Sequence, residues 1–253
     1  MALDIRQFPC LSDNYGFLLH DQETGATAAV DTPDADAIAR NCEAAGWRLT
    51  HILNTHHHPD HAGGNLALKE RFGVTILGPA NETIPGRDVA LKEGDTVDLG
   101  ASRARVLDTP GHTSGHIVYI FDEDRAAFVG DTLFALGCGR LFEGTPEQMW
   151  ASLSKLMALP DDYAVYCAHE YTQANAKFAL SVDPENAALA RRADEIATAR
   201  ARGEATVPTR IGLEKETNPF LRAADAGLRA QLGLESARDA DVFAEVRRRK
   251  DVF

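Results

Sequence analysis

The order of apolar runs predicts an α/β protein, a sandwich of sheets with helices outside, followed by a small all-helical domain. Two observations carry this reading. Through residue 170, short strand-like apolar runs are interleaved with helix-length segments. From residue 171, Ala, Arg and Glu dominate, apolar residues take helical spacing and β-branched runs disappear. The predicted domains are therefore residues 1–170 and residues 171–253.

Residues 15–19 and 26–30 read as strands joined by the polar turn Asp21-Gln22-Glu23-Thr24-Gly25, an opening hairpin. Residues 33–46 have the composition of a helix, with Pro33 near its start and Gly46 near its end. A strand is expected at 50–54, a helix over roughly 62–72 and a strand at 74–77. Three more strands should occupy 103–107, 117–121 and 126–129, before a helix at 146–158 and a strand at 163–167. In the second domain, helical sequence over 171–203 leads into a Pro-containing connector at 207–221. Helices near 223–232 and 239–250 complete it, and no internal repeat is visible.

Composition bounds the function. At 253 residues the chain can form one large domain, or a medium one with an appendage. Its 44% hydrophobic and 25% charged content is ordinary for a soluble globular protein. No apolar run approaches the ~20 residues of a membrane span. The segment Met1 to Arg6 lacks the pattern of a signal peptide, so a cytoplasmic protein is expected. A monomer with neither nucleic-acid nor membrane partners is also expected: the net charge of −12 opposes general binding to phosphate backbones. Cys10, Cys42, Cys138 and Cys167 form no C-x-x-C pair and are expected to be reduced thiols. For Cys138, in a glycine-rich loop, nothing local argues for a depressed pKa, so packing is its expected role.

The chemistry gathers at Thr55-His56-His57-His58-Pro59-Asp60-His61. Alternation along an extended chain puts His56 and His58 on one side and turns His57 away. Pro59 stiffens the turn, and Asp60 and His61 bring a second oxygen and nitrogen back to the same mouth. A histidine-rich surface tract would explain three adjacent histidines, but not the single candidate ligands placed at strand ends farther along the chain. His112 comes after the run Arg105-Val106-Leu107-Asp108-Thr109, Asp131 after Phe128-Val129-Gly130, and His169 after Tyr166-Cys167-Ala168. Each lies on a turn at a strand end, where a rigid sheet can aim it. Five imidazoles and two carboxylates suit a pair of borderline divalent ions, zinc above all, with iron or manganese as alternatives. Calcium and magnesium prefer all-oxygen sites.

This pattern resembles the metallo-β-lactamase superfamily, whose H-x-H-x-D-H run is followed by a loop histidine, a bridging aspartate and a last histidine. That resemblance covers about the first two thirds of the chain. Within the superfamily the chain is similar to the hydroxyacylglutathione hydrolase (glyoxalase II) family. The similarity continues through Gly137-Cys138-Gly139-Arg140-Leu141-Phe142-Glu143-Gly144-Thr145, His169-Glu170-Tyr171-Thr172, Thr217-Asn218-Pro219-Phe220-Leu221-Arg222 and the ending Arg247-Arg248-Arg249-Lys250-Asp251.

The resemblance implies an αβ/βα four-layer sandwich with a catalytic domain over 1–170 and a helical glutathione-binding domain over 171–253. It implies that His56, His58 and His112 hold one metal, that Asp60, His61 and His169 hold the other, and that Asp131 bridges them. Chemistry agrees, because a carboxylate has two oxygens and two cations ~3.5 to 4 Å apart need a shared anion. Asp60 and Asp131 are the implied catalytic carboxylates, Asp60 as an orienting group of low basicity. His116 and Asp31 are expected to orient ligands through hydrogen bonds.

For the substrate, the family pattern nominates Arg140, Phe142, Tyr171, Arg247 and Lys250. Arg140 stands where lysine is frequent and Phe142 where tyrosine is frequent. Arginine keeps the charge and adds a planar fork, whereas phenylalanine lacks the hydroxyl, so simple packing is expected of Phe142. A basic C-terminal helix is ordinarily a solvated face. Here the resemblance gives it the task of capturing the glycine carboxylate of glutathione.

The implied activity is hydrolysis of S-(2-hydroxyacyl)glutathione, chiefly S-D-lactoylglutathione, to glutathione and D-lactate, the second step of methylglyoxal detoxification. Hydroxide shared by two cations, available near neutral pH, would attack the thioester carbonyl. The alternative of another class is a single-iron glutathione persulfide dioxygenase on the same fold. Lactonase or β-lactamase activity and a noncatalytic metal scaffold fit the residues less well.

Overall fold

The computed structural model describes residues 3–253. Met1 and Ala2, where the first predicted domain begins, lie outside the described residues. The chain forms two compact units. The first runs to Asp108 and resumes over Ser114–Gly130; the second comprises Thr109–Thr113 and Asp131–Phe253.

The first unit contains β1 (Asp4–Cys10), β2 (Asn14–His20), β3 (Thr27–Val30), α1 (Ala35–Ala45), β4 (His51–Leu53), α2 (Pro59–Ala62), α3 (Asn65–Phe72), β5 (Thr75–Pro79), β6 (Val89–Leu91), β7 (Thr96–Leu99), β8 (Ser102–Asp108), β9 (Ile117–Phe121) and β10 (Ala126–Gly130). β1 to β6 form a sheet in sequence order, antiparallel up to β3 and parallel beyond it. β7 to β10 form an antiparallel meander. One face of the first sheet packs on helices: Leu18, Ala29, Ile52 and Ile76 meet Ile38 and Cys42 of α1 and Leu68 of α3. On the opposite face of β2, Phe17 meets Phe128 of β10 edge-on at 5.6 Å. Strands β2, β3, β9 and β10 are almost wholly buried, which explains why they read as continuous apolar runs.

The predicted hairpin is present as β2 and β3, but β1 opens the sheet ahead of it. β1 carries Gln7 and Pro9 in its second half, and that composition hid it. β6 and β7 also escaped prediction, being three and four residues long and partly exposed. The single helix expected over 62–72 is two, α2 and α3, parted by Gly63 and Gly64.

The second unit contains β11 (Leu133–Phe134), β12 (Gly137–Cys138), α4 (Pro146–Met157), β13 (Ala164–Cys167), α5 (Thr172–Val182), α6 (Ala187–Ala201), β14 (Thr209–Arg210), α7 (Ile211–Thr217), α8 (Ala226–Leu232) and α9 (Asp239–Asp251). Thr145 starts α4 with a complete capping box: its hydroxyl accepts from the Gln148 amide, and the Gln148 side chain accepts from the Thr145 amide. The connector expected at 207–221 instead holds β14 and α7. The cause is a buried ionic cluster. The Glu214 carboxylate, fully buried, accepts from Arg192 Nη2 at 2.5 Å, Thr209 Oγ1 at 2.5 Å, Asn218 Nδ2 at 2.9 Å and the Leu136 amide at 2.9 Å. Asn218 also donates to Phe134 O and Gly137 O, so α7 is tied to the β11–β12 hairpin. Among the described residues, no helix is long and apolar enough to cross a membrane.

Candidate metal ligands and substrate pocket

In the first unit, four of the predicted ligands follow β4 closely: His56 and His58 on the loop, Asp60 and His61 in α2. His56 Nε2 is 3.0 Å from His58 Nδ1, while His57 turns aside to meet Glu82 Oε2 through Nδ1 at 2.9 Å. The expected alternation is therefore present. His56 packs within 4.0 Å of the His61 ring and stacks on His116 at 4.8 Å, centroid to centroid. The first unit also fixes a tautomer. Asp31, buried and held at φ +57°, accepts from the Thr55 amide, Thr55 Oγ1 and His61 Nδ1, each at 2.8 Å. With its proton on Nδ1, His61 presents the Nε2 lone pair, 3.6 Å from Asp60 Oδ2. The loop's backbone fits only if Gly130 stays glycine, since a Cβ there would come within 2.6 Å of Thr55 Oγ1 and 2.7 Å of His116 Nε2.

In the second unit, Asp131 receives two histidines, one on each oxygen. His112 Nε2 lies 3.3 Å from Oδ2, and His169 Nε2 lies 3.5 Å from Oδ1. All three side chains are buried. His112 Nδ1 lies 2.8 Å from the Arg140 carbonyl, which can only accept, so Nδ1 carries the proton and Nε2 the lone pair. With both imidazoles neutral, two acceptors face each other at His112 and Asp131, as they do at His61 and Asp60. A cation between them resolves that repulsion, and neutral imidazole with carboxylate is a donor set for divalent transition metals. The loop behind Asp131 is glycine-rich for a steric reason: a Cβ on Gly139 would fall 2.0 Å from Asp131 O and 3.1 Å from His112 Nδ1.

A cavity of about 300 Å³ in the second unit adjoins this cluster, within the range of small-molecule sites. His112 and Asp131 form part of its wall, and Arg140, Phe142, Tyr171, Arg247 and Lys250 all line it. Their environments differ. Tyr171 stacks on His169, with ring centroids 4.7 Å apart and planes 4° from parallel. Arg247 is nearly buried, donating through Nη1 to Cys138 O at 3.1 Å and pairing through Nη2 with Asp251 at 2.8 Å. Lys250 lies over Phe178 and Phe253, and burial, then the neighbouring Arg247 charge, pushes its pKa below the usual lysine value. Arg140 is mostly exposed.

The packing role expected for Phe142 is not what the structure shows. Its side chain is 61% exposed at the pocket, with the ring edge-on to His112 at 5.3 Å. Phenylalanine can serve here without a hydroxyl because it offers an apolar wall. Cys138 behaves as expected: it is buried, and burial pushes the thiol up to about 11. Sequence reading missed Phe134 and Asn175, which also line the cavity. Asn175 was legible, lying one helical turn after Tyr171 on α5 and donating to Ala135 O at 3.1 Å. Phe134 belongs to a two-residue strand that carries no periodic signal.

Fold and ligand clusters define the class as a metallo-β-lactamase-fold protein. The model of the metallo-β-lactamase superfamily matches residues 30–169, and that of the hydroxyacylglutathione hydrolase C-terminus matches residues 170–253. Hydroxyacylglutathione hydrolases of Maricaulis maris and Rhizobium meliloti are 58% and 59% identical to the chain. The first alignment covers 98% of both chains; the second covers 100% of this chain and 99% of the relative. The chain belongs to the hydroxyacylglutathione hydrolase family. Among solved structures, ETHE1 from Myxococcus xanthus superposes with a TM-score of 0.68 at 28% identity, covering 98% of this chain and 99% of that one. The B3 metallo-β-lactamase BLEG-1 gives 0.65 at 21% identity, covering 86% and 99%, and shows the shared fold.

Proposed function

We propose that this protein hydrolyses S-(2-hydroxyacyl)glutathione thioesters, chiefly S-D-lactoylglutathione, to glutathione and D-lactate, in the second step of methylglyoxal detoxification. The observation that carries this reading is one cavity lined both by His112 and Asp131 and by the cationic residues Arg140, Arg247 and Lys250. A glutathione thioester has its carboxylates at a distance from its reacting carbonyl, and this cavity offers separate groups for each. Full-length relatives at 55 to 59% identity bearing the hydrolase name support it, and nothing comparable supports a single-iron oxidoreductase.

Two divalent metals, with zinc the leading candidate, would be held by His56, His58 and His112 and by Asp60, His61 and His169, with Asp131 shared. Bound there, they would supply Lewis acidity and a water whose pKa is lowered to ~7. The chain's own residues do the rest. The Arg140 carbonyl and Asp31 fix the tautomers of His112 and His61, so that each offers a lone pair. Phe142 and Tyr171 wall the pocket and limit water around the thioester. Lys250 and Arg140 draw in a substrate carboxylate against an overall charge of −12. Glutathione thiolate is a good leaving group, so no protein nucleophile is needed, and the high pKa of Cys138 agrees.

We assign residues 1–170 to catalysis and 171–253 to glutathione binding. A monomer in the cytoplasm is the assembly and compartment we favour; four free, buried cysteines suit a reducing environment. The test is loss of thioester absorbance with S-D-lactoylglutathione, beside a simple acyl thioester lacking glutathione, on protein of measured metal content. Rapid turnover of the first substrate alone is expected. No turnover by metal-loaded protein would overturn the reading.

A further inference from the structure

Asp251 lies among the cations of the pocket. Its Oδ1 is 2.8 Å from Arg247 Nη2, 3.1 Å from Arg247 Nε and 3.4 Å from Arg140 Nε. One carboxylate oxygen therefore spans two guanidiniums brought together from the glycine-rich loop and from α9. The position is locally unfavourable. Asp251 is the last residue of α9, where the helix macrodipole disfavours an anion. A carboxylate held there against its own helix needs a compensating partner, and the two arginines provide it.

The consequences for the two arginines differ. Arg247 is 6% exposed, and its Nε, Nη2 and Nη1 are engaged with Asp251 and the Cys138 carbonyl. A buried guanidinium without a counter-charge would be costly, so Asp251 keeps Arg247 in place in the pocket wall. Arg140 is exposed, and a long exposed side chain wanders unless something holds it. The ion pair of its Nε with Asp251 at 3.4 Å restrains it at the pocket it lines, and the terminal nitrogens of a guanidinium fork are able to donate to a carboxylate.

We propose that Asp251 is a positioning residue for substrate specificity: it orients Arg140 and Arg247 so that the pocket recognises the glycine carboxylate of a glutathione-type ligand. This rests on the glutathione reading above and extends it to a residue that makes no substrate contact itself. An acidic side chain thereby strengthens the binding of an anion. Simple charge counting gives the opposite sign, because removing a negative charge from a cationic pocket ought to tighten an anionic ligand.

The experiment is calorimetric titration of metal-loaded wild-type protein, Asp251→Asn, Arg140→Ala and the double variant with reduced glutathione and with γ-glutamylcysteine, which lacks the glycine. Thermal unfolding confirms that each variant folds. We expect Asp251→Asn to weaken glutathione roughly fivefold, to leave γ-glutamylcysteine unchanged, and to have a much smaller effect in the Arg140→Ala background. Tighter or unchanged glutathione binding by Asp251→Asn would overturn the proposal, as would equal losses for both ligands or full additivity with Arg140→Ala. Should Asp251→Asn unfold, Arg140→Lys replaces it. Lysine keeps the charge but lacks the Nε–H that meets Asp251, and the same selective loss is expected; wild-type affinity would overturn the proposal. Turnover is not needed for this readout. A wild type that binds glutathione in preference to the dipeptide yet hydrolyses no thioester would defeat the functional reading and leave this inference standing.

Discussion

At the scale of single residues, Asp131 is the position where loss should be most complete. Each of its oxygens faces a different histidine, so under the proposed assignment alanine there would remove a shared anion rather than one ligand of several. Asp131→Ala should lower metal content, read by elemental analysis, and reduce turnover by at least about a hundredfold. Normal metal content would contradict the bridging role. Lys250 should work differently, because the proposed role of its ammonium is to hold a carboxylate of the substrate that does not react. Lys250→Ala should raise KM about five- to tenfold with kcat nearly unchanged. Burial lowers the Lys250 pKa, so its charge, and with it substrate affinity, is intact at neutral pH and is lost as pH rises through a value below that of an ordinary lysine. The KM of the wild type should therefore climb at alkaline pH, and that of Lys250→Ala should lack this climb. Burial leaves Cys138 only 4% exposed and pushes its thiol up to about 11, so Cys138→Ala should keep kcat within about twofold and native Cys138 should resist alkylation at neutral pH. These residue types were legible in the sequence because metal ligation and anion binding need particular atoms. Asp31, expected to orient a ligand, does meet His61, whereas Arg140 shows what was less legible: its backbone carbonyl sets a tautomer, a role no side-chain identity announces.

At the scale of elements, local chemistry and long-range packing share control. Helix α4 announces itself through Thr145, Pro146 and Gln148, all within its first turn. Thr145→Ala should cost about 1 kcal/mol and lower Tm by roughly 2 to 4 °C, measurable by thermal unfolding, without changing the affinity for glutathione. A shift in glutathione affinity would mean that α4 also adjusts the pocket. Helix α7 is the opposite case. Its sequence Ile211-Gly212-Leu213-Glu214-Lys215-Glu216-Thr217 begins just after a proline and includes a glycine, so it reads as a connector. What makes it a helix is Glu214, whose carboxylate finds four donors from Leu136, Arg192, Thr209 and Asn218. None of these lies beside it in the sequence except Asn218 and Thr209. The short strands β1, β6 and β7 were hidden for a related reason, since a few residues of partly exposed strand gain their order from the neighbouring strand they pair with.

At the scale of the whole molecule, metal binding and stability should be linked. The proposed ligands come from separate stretches of the chain, so metal should bind native protein far better than unfolded chain. Removal of metal by a chelator should abolish thioester hydrolysis and lower Tm by several degrees, and added zinc should restore both. An unchanged Tm with lost activity would mean that the ligand clusters are held by the protein alone. The sequence by itself determined the candidate ligand types, their order along the strand ends, the change from mixed to helical structure near residue 170 and the family. These depend on local residue chemistry, on the period of apolar residues and on spacing, all of which are written along the chain. Tertiary structure decided which groups meet: His112 and His169 on the two oxygens of Asp131, Asp251 between Arg140 and Arg247, Phe142 exposed at a pocket rather than packed inside. Such meetings are set by how buried elements pack across more than a hundred intervening residues, as between Cys138 and Arg247, and one-dimensional spacing does not encode a distance of that kind.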